Sequence, residues 1–239
     1  SSMSSRKDRG RSVNGILLLN KPLHMSSNKA LQIVKRLYNA AKAGHTGSLD
    51  PLATGMLPSC LGEATKVSQY LLAADKVYQV SFKLGERTTT GDAEGEVIET
   101  TPSAAITEAA IQTVIERFIG QIEQVPRMYS ALKHDGQRLY ELARKGLAVE
   151  RKSRTVTISS IGLTGFEAAI VSVTVVCSKG TYIRTLVEDM GAELGCGAHL
   201  SALRRTGAGA FTLENAVSLL ELEELAKNTA ENGYSAMDA

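Results

Sequence analysis

The chain of 239 residues holds only three cysteines. Cys60, Cys177 and Cys196 form no C-x-x-C spacing, and an odd number cannot pair completely. This excludes a disulfide framework and a cysteine-based metal site, and it fits a reduced, cytoplasmic protein. Long apolar runs are also missing. None approaches the roughly 18–20 residues of a membrane-spanning helix. Residues 1–12 are polar and basic without an apolar core segment, so they are no secretory signal. Ser1-Ser2 before Met3 reads as a tag scar. Internal repeats, low-complexity tracts, a P-loop, a dinucleotide fingerprint and metal-ligand spacings are absent.

What remains is an ordinary globular composition, 43% hydrophobic and 22% charged. That suffices for one large domain or two small ones. The net charge is only +2. Its distribution says more, because basic residues cluster at Arg6-Lys7 with Arg9 and Arg11, at Lys35-Arg36, at Arg151-Lys152 with Arg154, and at Arg204-Arg205. A single cluster is a solvated face. Four of them favour a polyanionic partner.

Hydrophobic patterning places the elements. The apolar run 15–20 suits a buried strand, broken by Lys21-Pro22. Ser26 or Ser27 caps a helix through Tyr38. Residues 44–58, with three glycines and two prolines, read as a loop. A helix over 64–73, a strand over 77–84 and a polar loop over 85–95 follow. Next come a strand over 96–99 and a helix over 107–118. Residues 126–154 are rich in Arg, Lys and Tyr and read as an insertion between strands. Strands over 155–163 and 169–177 lead to a helix over 183–194, ended by Gly195. Ser218 and Glu221 form a capping box for a helix through Ala226. Without a strict βαβ rhythm, the expected fold is α+β: a mixed, largely antiparallel sheet flanked by helices. The expected organisation is a tail at 1–12, a catalytic domain at 13–227 and a loose tail at 228–239.

The segment Gly44-His-Thr-Gly-Ser-Leu-Asp50-Pro-Leu-Ala-Thr-Gly-Met-Leu-Pro58 is the chemical candidate. Pro51 steers Asp50 toward extended backbone, which puts a carboxylate on a stiff loop. Asp followed by Pro is equally a helix start, with Asp at the cap and Pro in the first turn. The local residues leave both readings open, as they do a structural or functional His45.

The same string closely resembles the defining motif of TruB-type tRNA pseudouridine synthases. Further matches fall in the family's order. They are Asn20-Lys21-Pro22 with Ser26-Ser27, Lys76-Val77-Tyr78, Ser178-Lys-Gly-Thr-Tyr-Ile-Arg184-Thr-Leu186, and Gly197-Ala-His-Leu with Leu203-Arg-Arg205. The run Pro51-Leu-Ala-Thr favours the bacterial tRNA branch over the guide-RNA branch. The resemblance implies a pseudouridine-synthase fold with an RNA-binding insertion at about 126–154. It implies conversion of uridine 55 in the tRNA T-loop to pseudouridine, by base flipping and cleavage and rejoining of the glycosidic bond. Nothing is oxidised and no group is donated, so no cofactor or metal is expected.

By the same resemblance Asp50 is the nucleophile, in a largely dry pocket, with Arg184 as its cation. Tyr78 stacks on the uracil and assists at C5. His45 fills the space the flipped base leaves. Tyr182 and Leu203 line the uracil pocket, and Lys21 supports the catalytic loop. Arg127, Lys133 and Arg144 of the insertion meet RNA phosphates, joined by Arg138 and Lys145, while Met128, Tyr129 and Tyr140 pack. Family members continue into a C-terminal PUA module, which this chain is expected to lack. A monomer is expected, as no heptad pattern is visible. The alternatives are a catalytically idle tRNA-binding chaperone and a glycosidase that cleaves without rejoining. The second typically needs two carboxylates where these motifs supply one.

Overall fold

The computed structural model describes residues 10–126, 133–134, 137–138 and 151–231. Two compact units emerge, one of residues 1–76 with 204–239 and one of residues 77–203.

In the first unit, β1 (Gly15–Lys21) is the buried strand that the apolar run implies, and it buries Leu18 and Leu19. Helix α1 (Ser27–Leu37) starts where the Ser26 hydroxyl accepts the Lys29 N–H. It buries Ala30, Leu31 and Val34, an i, i+1, i+4 stripe. Then follow β2 (Ala43–His45), β3 (Ala53–Leu61) and α2 (Thr65–Ala73). β3 corrects the sequence reading, since only residues 46–52 of the expected 44–58 loop lie between strands. β1 pairs with β3 along its full length, from Gly15 opposite Leu61 to Lys21 opposite Gly55. β2 pairs with the end of the same strand. Gly55, at φ +102, serves close approach: a Cβ there would lie 2.1 Å from the Arg205 carbonyl oxygen. Glycine and proline were misread as loop punctuation because their roles here are long-range.

Strand β4 (Lys76–Leu84) leads into the second unit. Its alternation buries Tyr78, Val80, Phe82 and Leu84 on one face. The stretch expected to be a plain polar loop over 85–95 begins with a strand. β5 (Glu86–Thr88) pairs antiparallel with β6 (Val97–Thr100). Helix α3 (Glu108–Arg117) is capped by the Thr107 hydroxyl and buries Ile111, Val114 and Ile115. β7 (Gly120–Gln124) follows, a strand the sequence reading missed because its alternation is short and polar. Two-residue strands β8 (Lys133–His134) and β9 (Gln137–Arg138) pair with each other. At the ends of the expected insertion, Arg151 donates to the Pro126 carbonyl and Arg154 already belongs to the next strand; residues 127–132, 135–136 and 139–150 lie outside the described residues.

β10 (Arg154–Glu167) and β11 (Ile170–Cys177) form an antiparallel hairpin. β11 buries Val171, Val173, Val175 and Cys177, a clean period of two. The strand order in this unit is β4-β11-β10-β7. Helix α4 (Ile183–Leu194) ends at Gly195 in the left-handed conformation, φ 82. It packs on α3.

β12 (Ala198–Ala208) returns the chain to the first unit. There it pairs with β13 (Phe211–Thr212), and a 3-10 turn at Leu213–Asn215 follows. β14 (Val217–Ser218) pairs parallel with β1. Helix α5 (Leu219–Glu231) starts at Ser218, whose hydroxyl accepts the Glu221 N–H, and runs past the expected Ala226. It packs against α1. Leu18, Met56, Leu71 and Ala208 form a core cluster in this unit, with Ile16 and Phe211 against it. The mixture of antiparallel pairs, the parallel pairing of β1 with β14 and flanking helices is the expected α+β class.

Candidate active site

The loop carrying Asp50 is tied down from several sides. The Ser27 hydroxyl accepts the Leu49 N–H at 2.6 Å and donates to the Leu49 carbonyl at 2.7 Å. The Pro51 carbonyl accepts the His24 N–H, and the Asp50 carbonyl accepts the Ala53 N–H. Leu49 and Leu52 are buried on either side of Asp50 and Pro51, which are exposed. Burying the residues that flank Asp50 and Pro51 anchors the loop and turns the carboxylate outward. No helix follows Asp50, so the helix-cap alternative falls. Asp50 itself is exposed rather than set in a dry pocket.

Lys21 is fully buried, and its ammonium donates to the carbonyls of Pro22 at 2.8 Å and Met25 at 2.6 Å. Burial lowers its pKa, while the negative charge of Asp50 opposes that shift. The lysine therefore holds the 22–25 turn and sets a positive charge within reach of the carboxylate. His45, at the end of β2, has its Nδ1 buried without a hydrogen-bond partner among the described residues, as is the Thr46 hydroxyl. Burial lowers the His45 pKa and the nearby Arg205 guanidinium lowers it further, so the imidazole is neutral at physiological pH.

In the second unit Tyr78 lies buried on β4. Arg184 occupies the first turn of α4, and its Nη2 lies 2.7 Å from Asp92 Oδ2. Asp92 is a residue the sequence reading passed over. Its side chain is 5% exposed, and its other oxygen accepts the Thr90 hydroxyl at 2.7 Å and the Glu94 N–H at 2.9 Å. Both oxygens of this carboxylate are thus engaged, as burial of a charge requires. The Gly91-Asp92-Ala-Glu-Gly95 pattern, an acid that turns onto its own backbone two residues on, was the available clue.

Tyr182 precedes α4. Its N–H donates to Gln124 Oε1 and its carbonyl accepts from Gln124 Nε2, at 2.9 and 3.1 Å. Gln124 is fully buried at the end of β7. The Arg154 guanidinium lies 5.3 Å from the Tyr182 ring centroid, a cation–π arrangement. Leu203 is half-buried on β12. Lys133 lies in β8, with its side chain outside the described residues, as are Arg127 and Arg144.

The profile "TruB family pseudouridylate synthase (N terminal domain)" matches residues 35–183. The chain belongs to the TruB pseudouridylate synthase family. Membership makes it an isomerase. The profile "tRNA pseudouridylate synthase B C-terminal domain" matches residues 184–238. The chain is 56% identical to "tRNA pseudouridine synthase B" of Marinomonas sp. (strain MWYL1), over 98% of this chain and 74% of that protein. It is 58% identical to the protein of the same name from Nitrosococcus oceani, over 95% of this chain and 73% of that one. Among solved structures, a chain of a Cbf5-Nop10-Gar1 complex superposes with a TM-score of 0.73 at 32% identity. The match covers 92% of this chain and spans 57% of that chain. A chain of an H/ACA RNP bound to a substrate RNA containing 2′-deoxyuridine gives a TM-score of 0.70 at 28% identity, over 97% of this chain and 62% of that one.

Proposed function

We propose that the protein converts uridine 55 in the T-loop of tRNA to pseudouridine, with Asp50 as nucleophile. The observation that carries this reading is the Asp50 loop. A carboxylate is presented outward on backbone fixed by Ser27 and His24, with the Lys21 charge close by, in a chain whose relatives are named tRNA pseudouridine synthase B. Positioning at this level is what a near-attack geometry needs.

In the reaction the N1–C1′ bond of uridine breaks and a C5–C1′ bond forms. The C5 proton leaves and N1 gains one, so no redox partner or donated group is required. Tyr78 stacks on the uracil and assists proton removal at C5. Arg184, oriented by Asp92, supplies the positive charge that keeps the carboxylate ionised as water is displaced. Tyr182 and Leu203 line the base pocket. His45, neutral, fills the gap left by the flipped base, whose unstacking costs a few kcal/mol. Arg127, Lys133 and Arg144 meet phosphates of the T-arm, whose shape rather than a long sequence is recognised. The enzyme acts as a monomer in the cytoplasm.

The test is tritium release from a T-arm stem-loop carrying C5-labelled uridine. Wild type releases label without any added cofactor. Asp50→Asn loses conversion by about 10²–10⁴-fold, the scale for removing a catalytic acid or base, yet binds the stem-loop. Retained label with bound RNA would favour the idle chaperone. Free uracil among the products would favour the glycosidase.

A further inference from the structure

Arg205 has no part in the functions argued so far, and its setting is unusual for an arginine. It lies on β12 with 3% of its surface exposed. Its Nε donates to the Met56 carbonyl at 2.9 Å and its Nη2 to the Gly47 carbonyl at 2.6 Å. Those carbonyls bracket the loop that carries Asp50, one before it and one after it in sequence. Among the described residues no carboxylate pairs with this guanidinium; burying it is costly, and here backbone oxygens supply the compensation. An apolar side chain would fill the same space more cheaply, so packing alone does not account for the charge.

We propose that Arg205 is a positioning residue for the isomerisation, a buried clamp that joins the two ends of the Asp50 loop and fixes where its carboxylate points. Only a planar fork with two separated donors reaches both carbonyls at once. Gly55 makes the clamp possible, because a Cβ there would collide with the Arg205 backbone. A second consequence follows from the same guanidinium: its charge helps hold the adjacent His45 imidazole neutral. The proposal rests on Asp50 being the nucleophile, and the experiment separates the two.

Three variants are compared with wild type: Arg205→Lys, Arg205→Met, and Leu222→Ala as a stability control from the core face of α5. Turnover of the T-arm stem-loop is measured at a temperature where each is folded, together with amide exchange of residues 46–56 without RNA. Arg205→Lys keeps the charge but reaches one carbonyl. It is expected to fold, to lose kcat by about 10²-fold, the scale of an ångström-level misplacement, with KM within about threefold of wild type. Its loop amides exchange faster while those of β11 do not. Arg205→Met loses at least as much kcat, and the His45 titration moves up toward its ordinary value. Leu222→Ala keeps wild-type kcat. Wild-type kcat in Arg205→Lys, a loss expressed in KM alone, or an equal kcat loss in Leu222→Ala would overturn the clamp. If Arg205→Met does not fold, the lysine variant decides. An active wild type with a fully active Asp50→Asn would instead overturn the nucleophile and leave the loop exchange as the measure of the clamp.

Discussion

Replacing Asp92 by asparagine isolates the pair that holds Arg184. Asparagine keeps an oxygen for the Thr90 hydroxyl and the Glu94 N–H, so the turn at 90–94 survives. What it loses is the charge facing Arg184 Nη2 at 2.7 Å. In its place an amide N–H is brought against a guanidinium N–H. The helix adds to the strain, since Arg184 sits in the first turn of α4, the positive end of the helix dipole. A cation there is disfavoured by about 0.3–1 kcal/mol. Breaking a fully buried pair costs about 3–5 kcal/mol. The Arg184 side chain is 27% exposed, so water recovers part of that, and we expect a loss of about 2 kcal/mol. For a chain of this size that lowers Tm by about 4–8 °C.

The catalytic effect is larger than the stability effect, because a guanidinium without the Asp92 carboxylate is held less firmly in the direction it offers its charge. Single-turnover pseudouridine formation in Asp92→Asn should fall by about 10²-fold, with stem-loop affinity unchanged. The decisive arm is the double variant. If Asp92 acts through Arg184, Asp92→Asn combined with Arg184→Met is no slower than Arg184→Met alone. Rate losses that multiply in the double variant, or full turnover in Asp92→Asn, would refute the reasoning.

Asp189 on α4 titrates at about 6, raised by burial and then by the charge of Glu188. A raised carboxyl contributes stability that is complete below its unfolded value of 3.8 and is lost as pH rises through 6. Asp189→Asn should therefore be more stable than wild type above about pH 6, by about 1 kcal/mol after solvent screening, and equal to it near about pH 4. Urea unfolding at the two pH values checks this, and a constant difference would reject it. Gly55→Ala places a Cβ 2.1 Å from the Arg205 carbonyl. It should cost about 3 kcal/mol or more, read as a Tm fall, and an unchanged Tm would show that the strands part without penalty. Tyr78→Phe keeps stacking and loses the hydroxyl. If the hydroxyl takes part at C5, tritium release slows with RNA affinity unchanged, and near-normal release makes it a spectator.

Periodicity made much of the fold readable. β11 alternates because one face is buried, and α1 and α3 show their caps at Ser26 and Thr107. Local patterning failed where a residue's reason lies far along the chain. Gly55 and Pro58 look like loop residues until β1 is laid alongside them in register. β7 carries only five residues, and the role of its Gln124 depends on Tyr182, 58 positions away.

The site divides along the same line. Asp50 stood out through a motif, and its loop chemistry was ambiguous until the structure showed a strand, not a helix, beginning at Ala53. Asp92 did not stand out, and Arg205 stood out only within a basic cluster and a motif, although both are buried charges with specific partners. A sequence displays the type of a charged residue but not its burial, and burial is what separates these two from an ordinary solvated face. Ser27 makes the same point in a neutral residue. As a hydroxyl beside a helix start it reads as a cap, and Ser26 takes that task. The vacated hydroxyl instead bonds both backbone groups of Leu49, the residue before Asp50. Two adjacent serines thus divide one local task and one long-range task, and only the second bears on where the carboxylate points.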